Sequence, residues 1–251
     1  GDGIPVTRAF PVPAMRENDP FLLFDHFGPI NYEPGGATGV PAHPHCGFEA
    51  ITYLLGGEVE HKDSWGGQAA IETGDIQWMT TGSGLIHSEL VTDKFKKSGG
   101  EMQGLQIWVN LPQKYKQVKP WYQHIKKNDI PTIDEGNDVL IKVLVGKVKN
   151  ISSAVQTYSP VSIFDVQFIK PSLIDLDISK NQTVMVYVIN GELKFHNDNQ
   201  IARKGQMIYF DQSSDMINLT SISPTGSYLV LAGQPLNCLL YTSPSPRDGR
   251  E

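Results

Sequence analysis

The sequence predicts an all-β protein, and three observations carry that prediction. Short apolar runs rich in β-branched, aromatic and aliphatic residues follow one another along the chain, each ended by Gly, Asn or Asp. The 24 glycines and 17 prolines of this 251-residue chain fall between those runs, as turn punctuation does. Helical periodicity is weak throughout.

Taken in order, the first run is "AITYLLGGEVEHKD" (50–63), which reads as two strands about a Gly-Gly turn, and "AIETGDIQWMT" (70–80) reads as two more about Thr-Gly-Asp. "GLQIWVNL" (104–111) is a single buried strand. "LPQKYKQVKPWYQHI" (111–125) is the best helical candidate, but Pro120 interrupts it, so it reads as a linker or a short helical turn. Further strands follow in "VLIKVLVG" (139–146), "TVMVYVINGELKFH" (183–196), "QMIYFDQ" (206–212) and "SYLVLAG" (227–233). The two halves echo each other. "ITYLLGGEVEHKDS" with "IETGDIQWMTTGS" matches "MVYVINGELKFHND" with "ARKGQMIYFDQSS": strand, Gly-Glu turn, polar strand, then Gly-Asp or Gly-Gln opening an apolar strand. Two copies of one β module explain this most simply.

Composition excludes several classes of function. With 21 Lys+Arg against 27 Asp+Glu the formal net charge is −6, and no basic run is interleaved with aromatics. Direct nucleic-acid binding is therefore not expected, although contact with a DNA-bound protein remains open. No apolar run approaches the ~18 residues of a membrane span. Cys46 and Cys238 make no disulfide framework, and Cys46 reads as a small buried hydrophobe. The start "GDGIPVTRAF" is no signal peptide, and the sequons at Asn150, Asn181 and Asn218 read as chance. A cytoplasmic protein is expected, or a nuclear one if the source is eukaryotic.

The chemistry sits in two pairs. In "GVPAHPHCGFEA" His43 and His45 are two residues apart, so on a strand they project from one face. In "TTGSGLIHSEL" His87 and Glu89 repeat that spacing behind a glycine turn. A module folded back on itself as a barrel would bring three imidazoles and one carboxylate to one point. Such a set suits a transition metal, Fe(II), Mn, Ni, Cu, Co or Zn, better than Ca or Mg. With Fe(II) it would carry one net positive charge and leave about two octahedral positions open. Either pair alone could be strand decoration. Both lie in the first copy, however, and "IDLDISKNQT" (174–183) in the second has no histidine. Glu49, four residues past His45 and on its face if the strand stays regular, is the competing carboxylate. His61, His124 and His196 have no partner at ligand spacing and read as surface or strand-edge residues, and His26 as a residue near a barrel mouth.

"HPHCGFEAITYLLGGEVEHKDSWGG" together with "GDIQWMTTGSGLIHSE" closely resembles pirin, and the likeness runs from "DPFLLFDHFGP" through "LQIWVNLP" to "GQPLN". The resemblance implies a bicupin, two stacked antiparallel β-barrels with metal in the first only. Residues 1–129 would form the metal-binding barrel and 130–237 the metal-free one. Residues 238–251, "CLLYTSPSPRDGRE", read as a non-family tail of disordered or cloning-derived character. It further implies iron held by His43, His45, His87 and Glu89, with Glu89 also the catalytic base. Two functions come with the family. One is quercetinase-type dioxygenation, opening a flavonol ring with O2. The other is an iron-binding regulatory role at transcription-factor complexes, with a protein partner and no turnover. A monomer is expected.

Overall fold

The computed structural model describes residues 4–15, 18–136, 138–195, 200–210 and 216–238. They divide into two compact units, one built on Phe21–Lys127 and the other on Asn128–Pro235.

The first unit contains β1 (Val6–Phe10), β2 (Phe21–Tyr32), β3 (Gly39–His45), β4 (Phe48–Gly56), β5 (Glu58–Asp63), β6 (Gln68–Glu72), β7 (Ile76–Thr80), β8 (Leu85–Val91), helix α1 (Asp93–Ser98), β9 (Gly100–Asn110) and β10 (Trp121–Ile125). These form two antiparallel sheets, one in the order β1-β2-β9-β4-β7-β10 and one in the order β3-β8-β5-β6. Every residue of β4 but Leu55 is buried, because both faces of this central strand are covered. In β8 burial alternates, with Leu85, His87 and Glu89 inside and Ile86 and Leu90 outside.

The second unit begins with β11 (Thr132–Asp134), β12 (Val139–Val145), β13 (Lys147–Val148), β14 (Ile151–Ser152), β15 (Val161–Phe168) and β16 (Leu173–Asp177). It continues with β17 (Thr183–Asn190), β18 (Glu192–Phe195), β19 (Ile201–Arg203), β20 (Met207–Phe210), β21 (Met216–Ser221) and β22 (Gly226–Gly233). Its sheets run β11-β12-β15-β22-β17-β20 and β16-β21-β18-β19, beside the two-stranded β13-β14. The repeat read in the sequence is thus a repeat of topology. β4 pairs with β7 as β17 pairs with β20, and β5 pairs with β6 as β18 pairs with β19. Both units are cupin barrels, and the chain is a bicupin.

Two segments differ from the sequence expectation. Within 111–125 only Gln113–Tyr115 is helical, as a single 3-10 turn. Trp121–Ile125 is a strand, because β7 offers an open edge with which all five residues pair. The helix α1 goes unsignalled by apolar periodicity, being six residues long with one buried side chain, Phe95. Thr92 caps it, its side chain accepting from the Phe95 N–H at 3.2 Å. His196 and residues 239–251 of the expected tail lie outside the described residues. Cys238 is described and packs on the first unit, its sulfur 3.5 Å from Asn110 Nδ2.

Candidate metal centre

β3 and β8 are antiparallel neighbours in a register that sets His43 directly opposite His87, with His45 opposite Leu85. Alternation then turns His43, His45 and His87 inward, all buried. Their rings converge, with centroids 4.3 Å apart for His43–His87, 4.6 Å for His43–His45 and 5.0 Å for His45–His87. One nitrogen from each lies within 4.8 Å of the other two.

The donor set fits a divalent transition metal. Imidazole suits such ions, and His43 is already oriented as a ligand. Its Nδ1 lies 2.8 Å from the Pro41 carbonyl. A carbonyl only accepts, so Nδ1 carries the proton and Nε2 keeps its lone pair for a metal.

Glu89 is buried two residues beyond His87, but its carboxylate lies outside the 4.8 Å set. Oε1 accepts from Thr52 Oγ1 at 3.2 Å and from Gln77 Nε2, and Oε2 is approached by Gln106 Nε2 at 3.5 Å. Oε2 is therefore the less committed oxygen.

Glu49 faces the other way. β3 ends at His45 and β4 begins at Phe48, and between them Gly47 takes φ 78°. That left-handed residue breaks the alternation, so the expectation that Glu49 shares a face with His45 fails. Phe48, Ala50 and Thr52 turn inward, while Glu49 Oε1 accepts from Thr80 Oγ1 at 2.8 Å and Trp78 Nε1 at 3.2 Å on the opposite face.

His61 was also misjudged by spacing. It is fully buried, opposite Glu89 in the β5–β8 register, with its ring 5.3 Å from that of His87. Its Nε2 bonds Asp63 Oδ2 at 3.0 Å. The signal was available, since His61 and Asp63 form a third pair at i and i+2. His124 lies on the edge strand β10, where it bonds Asp75 Oδ2 at 2.8 Å. His26 is buried and meets Gln103 at 2.7 Å. Cys46 is half-buried rather than buried.

These side chains form a polar layer inside an apolar barrel. On one side of it Phe48, Ala50, Met79 and Leu85 cluster with Leu22 and Trp108. On the other Leu54, Val59, Ile71 and Met102 cluster with Phe95 and Ala37. Between them lie Thr52, Gln77, Gln106, His61, His87 and Glu89. Register gives the equivalents in the second unit. With the Gly57-Glu58 turn matched to Gly191-Glu192, Leu176 opposes Ile217 where His43 opposes His87, and Phe195 opposes Leu219 where His61 opposes Glu89. Thr52 and Gln106 correspond likewise to Val186 and Val230. Leu176, Val186, Ile217, Leu219 and Val230 belong to one continuous apolar core. A buried polar layer in one copy, absent from the other, marks a site rather than a need of the fold.

Comparison with known proteins agrees with this geometry. Residues 3–109 match the family described as Pirin and residues 163–242 the Pirin C-terminal cupin domain. The second match runs past Asn237, so the family likeness reaches into the segment read from sequence as a tail. A Pseudomonas aeruginosa protein named "putative quercetin 2,3-dioxygenase" is 36% identical over 242 residues, covering 94% of this chain and 83% of the relative. Human pirin is 34% identical over 239 residues, covering 94% and 79%. A crystal structure of quercetin 2,3-dioxygenase from Acinetobacter baumannii superposes with TM-score 0.87 at 35% identity, covering 94% of this chain and 83% of that one. The Escherichia coli bacterial pirin solved in complex with nickel(II) shares the fold, with TM-score 0.71 at 19% identity, covering 94% and 93%.

Proposed function

The chain belongs to the pirin family, and we propose that it is a metal-dependent dioxygenase of quercetinase type, with Fe(II) as the metal and a flavonol as substrate. The convergence of three buried imidazoles within 4.8 Å in the first barrel, with no such group in the second among the described residues, is the observation that carries this reading. Similarity to proteins named as quercetin 2,3-dioxygenases supports the substrate class.

His43, His45 and His87 would hold the metal through imidazole nitrogen, and Glu89 would complete the set through Oε2. When bound, the metal would supply its two open coordination positions to the flavonol's 3-hydroxyl and 4-carbonyl, and O2 is the oxidant that opens the activated ring. The chain's own residues do the rest. Thr52, Gln77 and Gln106 orient the Glu89 carboxylate, which accepts the proton of the 3-hydroxyl. Phe48 and Trp108, stacked with centroids 4.4 Å apart beside His45, keep that end of the chamber apolar. An oxygen electrode tests the proposal. Iron-loaded protein should consume O2 when quercetin is added, and His87→Ala should not. Stoichiometric iron with no quercetin-dependent uptake would overturn the enzymatic reading and favour the regulatory one.

A further inference from the structure

The polar layer holds more polar groups than a metal requires. His61 Nε2 donates to Asp63 Oδ2, an acceptor only, so in its neutral form the ring carries its proton on Nε2 and presents Nδ1 as a bare acceptor. The other Asp63 oxygen is held by the N–H groups of Trp65 at 2.7 Å and Gly67 at 3.0 Å, which fixes the pair. Nδ1 is buried and has no hydrogen-bond partner among the described residues. The Tyr122 ring lies flat against His61, with centroids 4.2 Å apart and planes 14° from parallel. Tyr122 sits opposite Met79 in register and so faces the barrel interior with it. Its hydroxyl is likewise buried without a partner. Burial first, then the charges of Glu89, Asp63 and Asp75, push this phenol well above its ordinary range, so it stays a donor.

Two touching rings thus present a bare acceptor and a protonated donor, and buried groups of this kind are normally satisfied. We propose that His61 Nδ1 and the Tyr122 hydroxyl form a subsite for an aromatic hydroxyl of the substrate, which donates to the imidazole and accepts from the phenol. The subsite adjoins the metal-site ring of His87, 5.3 Å from that of His61. The substrate it selects carries a ring hydroxyl beyond the hydroxy-ketone that would face the metal. This assignment rests on reading the chamber as a flavonol site. Asp63 is a positioning residue within it, acting through the His61 tautomer.

Anaerobic binding of two ligands to the metal-containing protein tests it without turnover, with metal content measured for each variant. Quercetin and 3-hydroxyflavone share the 3-hydroxy-4-ketone, but only quercetin has further hydroxyls. Wild type should bind quercetin about tenfold more tightly or better, as expected for a site built to bond a hydroxyl. Tyr122→Phe keeps the stack and should bring that ratio to within about threefold by weakening quercetin alone. Asp63→Asn keeps Oδ1 for the Trp65 and Gly67 N–H groups but places a donor against Nε2, moving the ring proton to Nδ1, and should do the same. A ratio unchanged in both variants, or equal weakening of both ligands, would overturn the subsite. Wild type that binds both ligands and consumes O2 without preferring quercetin would overturn the subsite alone. Wild type that binds neither would overturn the flavonol reading with it.

Discussion

Glu89 and Glu49 are both buried, yet only Glu89 shares the chamber with the histidines. Glu89→Gln keeps the shape but removes the charge that would offset a cation, so metal affinity should fall by about one to two orders of magnitude. Glu49→Gln preserves an acceptor for Trp78 and Thr80 on the far face and should leave metal occupancy intact. Competition against a chelator of known affinity measures both, and the reverse ranking would mean that Glu49 faces the metal. At this scale the sequence was informative where strands are regular. His43, His45 and His87 stand at i and i+2 spacings that alternation converts directly into facing side chains. Glu49 was not legible, because one left-handed glycine between β3 and β4 inverts the phase. His61 carries no signal in its spacing to other histidines; its pair is Asp63, at i and i+2 on β5.

Lys116 belongs to the scale of elements, since it holds the same turn that inverts the phase. It is buried, its Nζ donating to the Gly47 carbonyl at 2.8 Å and to Asn110 Oδ1 at the end of β9. Lys116→Met fills similar volume but deprives two buried acceptors of their donor, and should cost about 2–4 kcal/mol of stability in a denaturant titration. Loss of no more than a few tenths of a kcal/mol would show that the turn holds itself. The strands that sequence made visible, such as β4, β9, β17 and β22, are central ones whose buried faces leave nearly unbroken apolar runs. Edge strand β10 was hidden, because its residues are all only half-buried and its pairing with β7 comes from tertiary context.

Across the whole molecule, two copies of one topology carry different interiors, and this contrast was legible from the absence of histidine in "IDLDISKNQT" (174–183) of the second copy. What sequence did not convey is that Leu176, Val186, Ile217, Leu219 and Val230 fill the equivalent layer. Leu219→Ala should therefore cost about 2–5 kcal/mol by leaving a cavity, while metal content stays unchanged. Buried phenols add a pH dependence. Tyr122, Tyr187 and Tyr228 are all pushed well above the ordinary tyrosine range, chiefly by burial. Once pH exceeds the ordinary tyrosine value of 10.0, the unfolded chain releases phenol protons that the folded chain retains, so stability should fall as pH rises. Tyr228→Phe should flatten that fall in unfolding curves recorded at increasing alkaline pH, and an unaltered slope would remove Tyr228 as a contributor. The most direct test of a metal site confined to the first barrel is metal stoichiometry, measured by elemental analysis after anaerobic Fe(II) addition and desalting. Wild type and Leu219→Ala should each retain one iron per chain, and His43→Ala and His87→Ala essentially none. No retained iron in wild type, or full retention in both histidine variants, would contradict it.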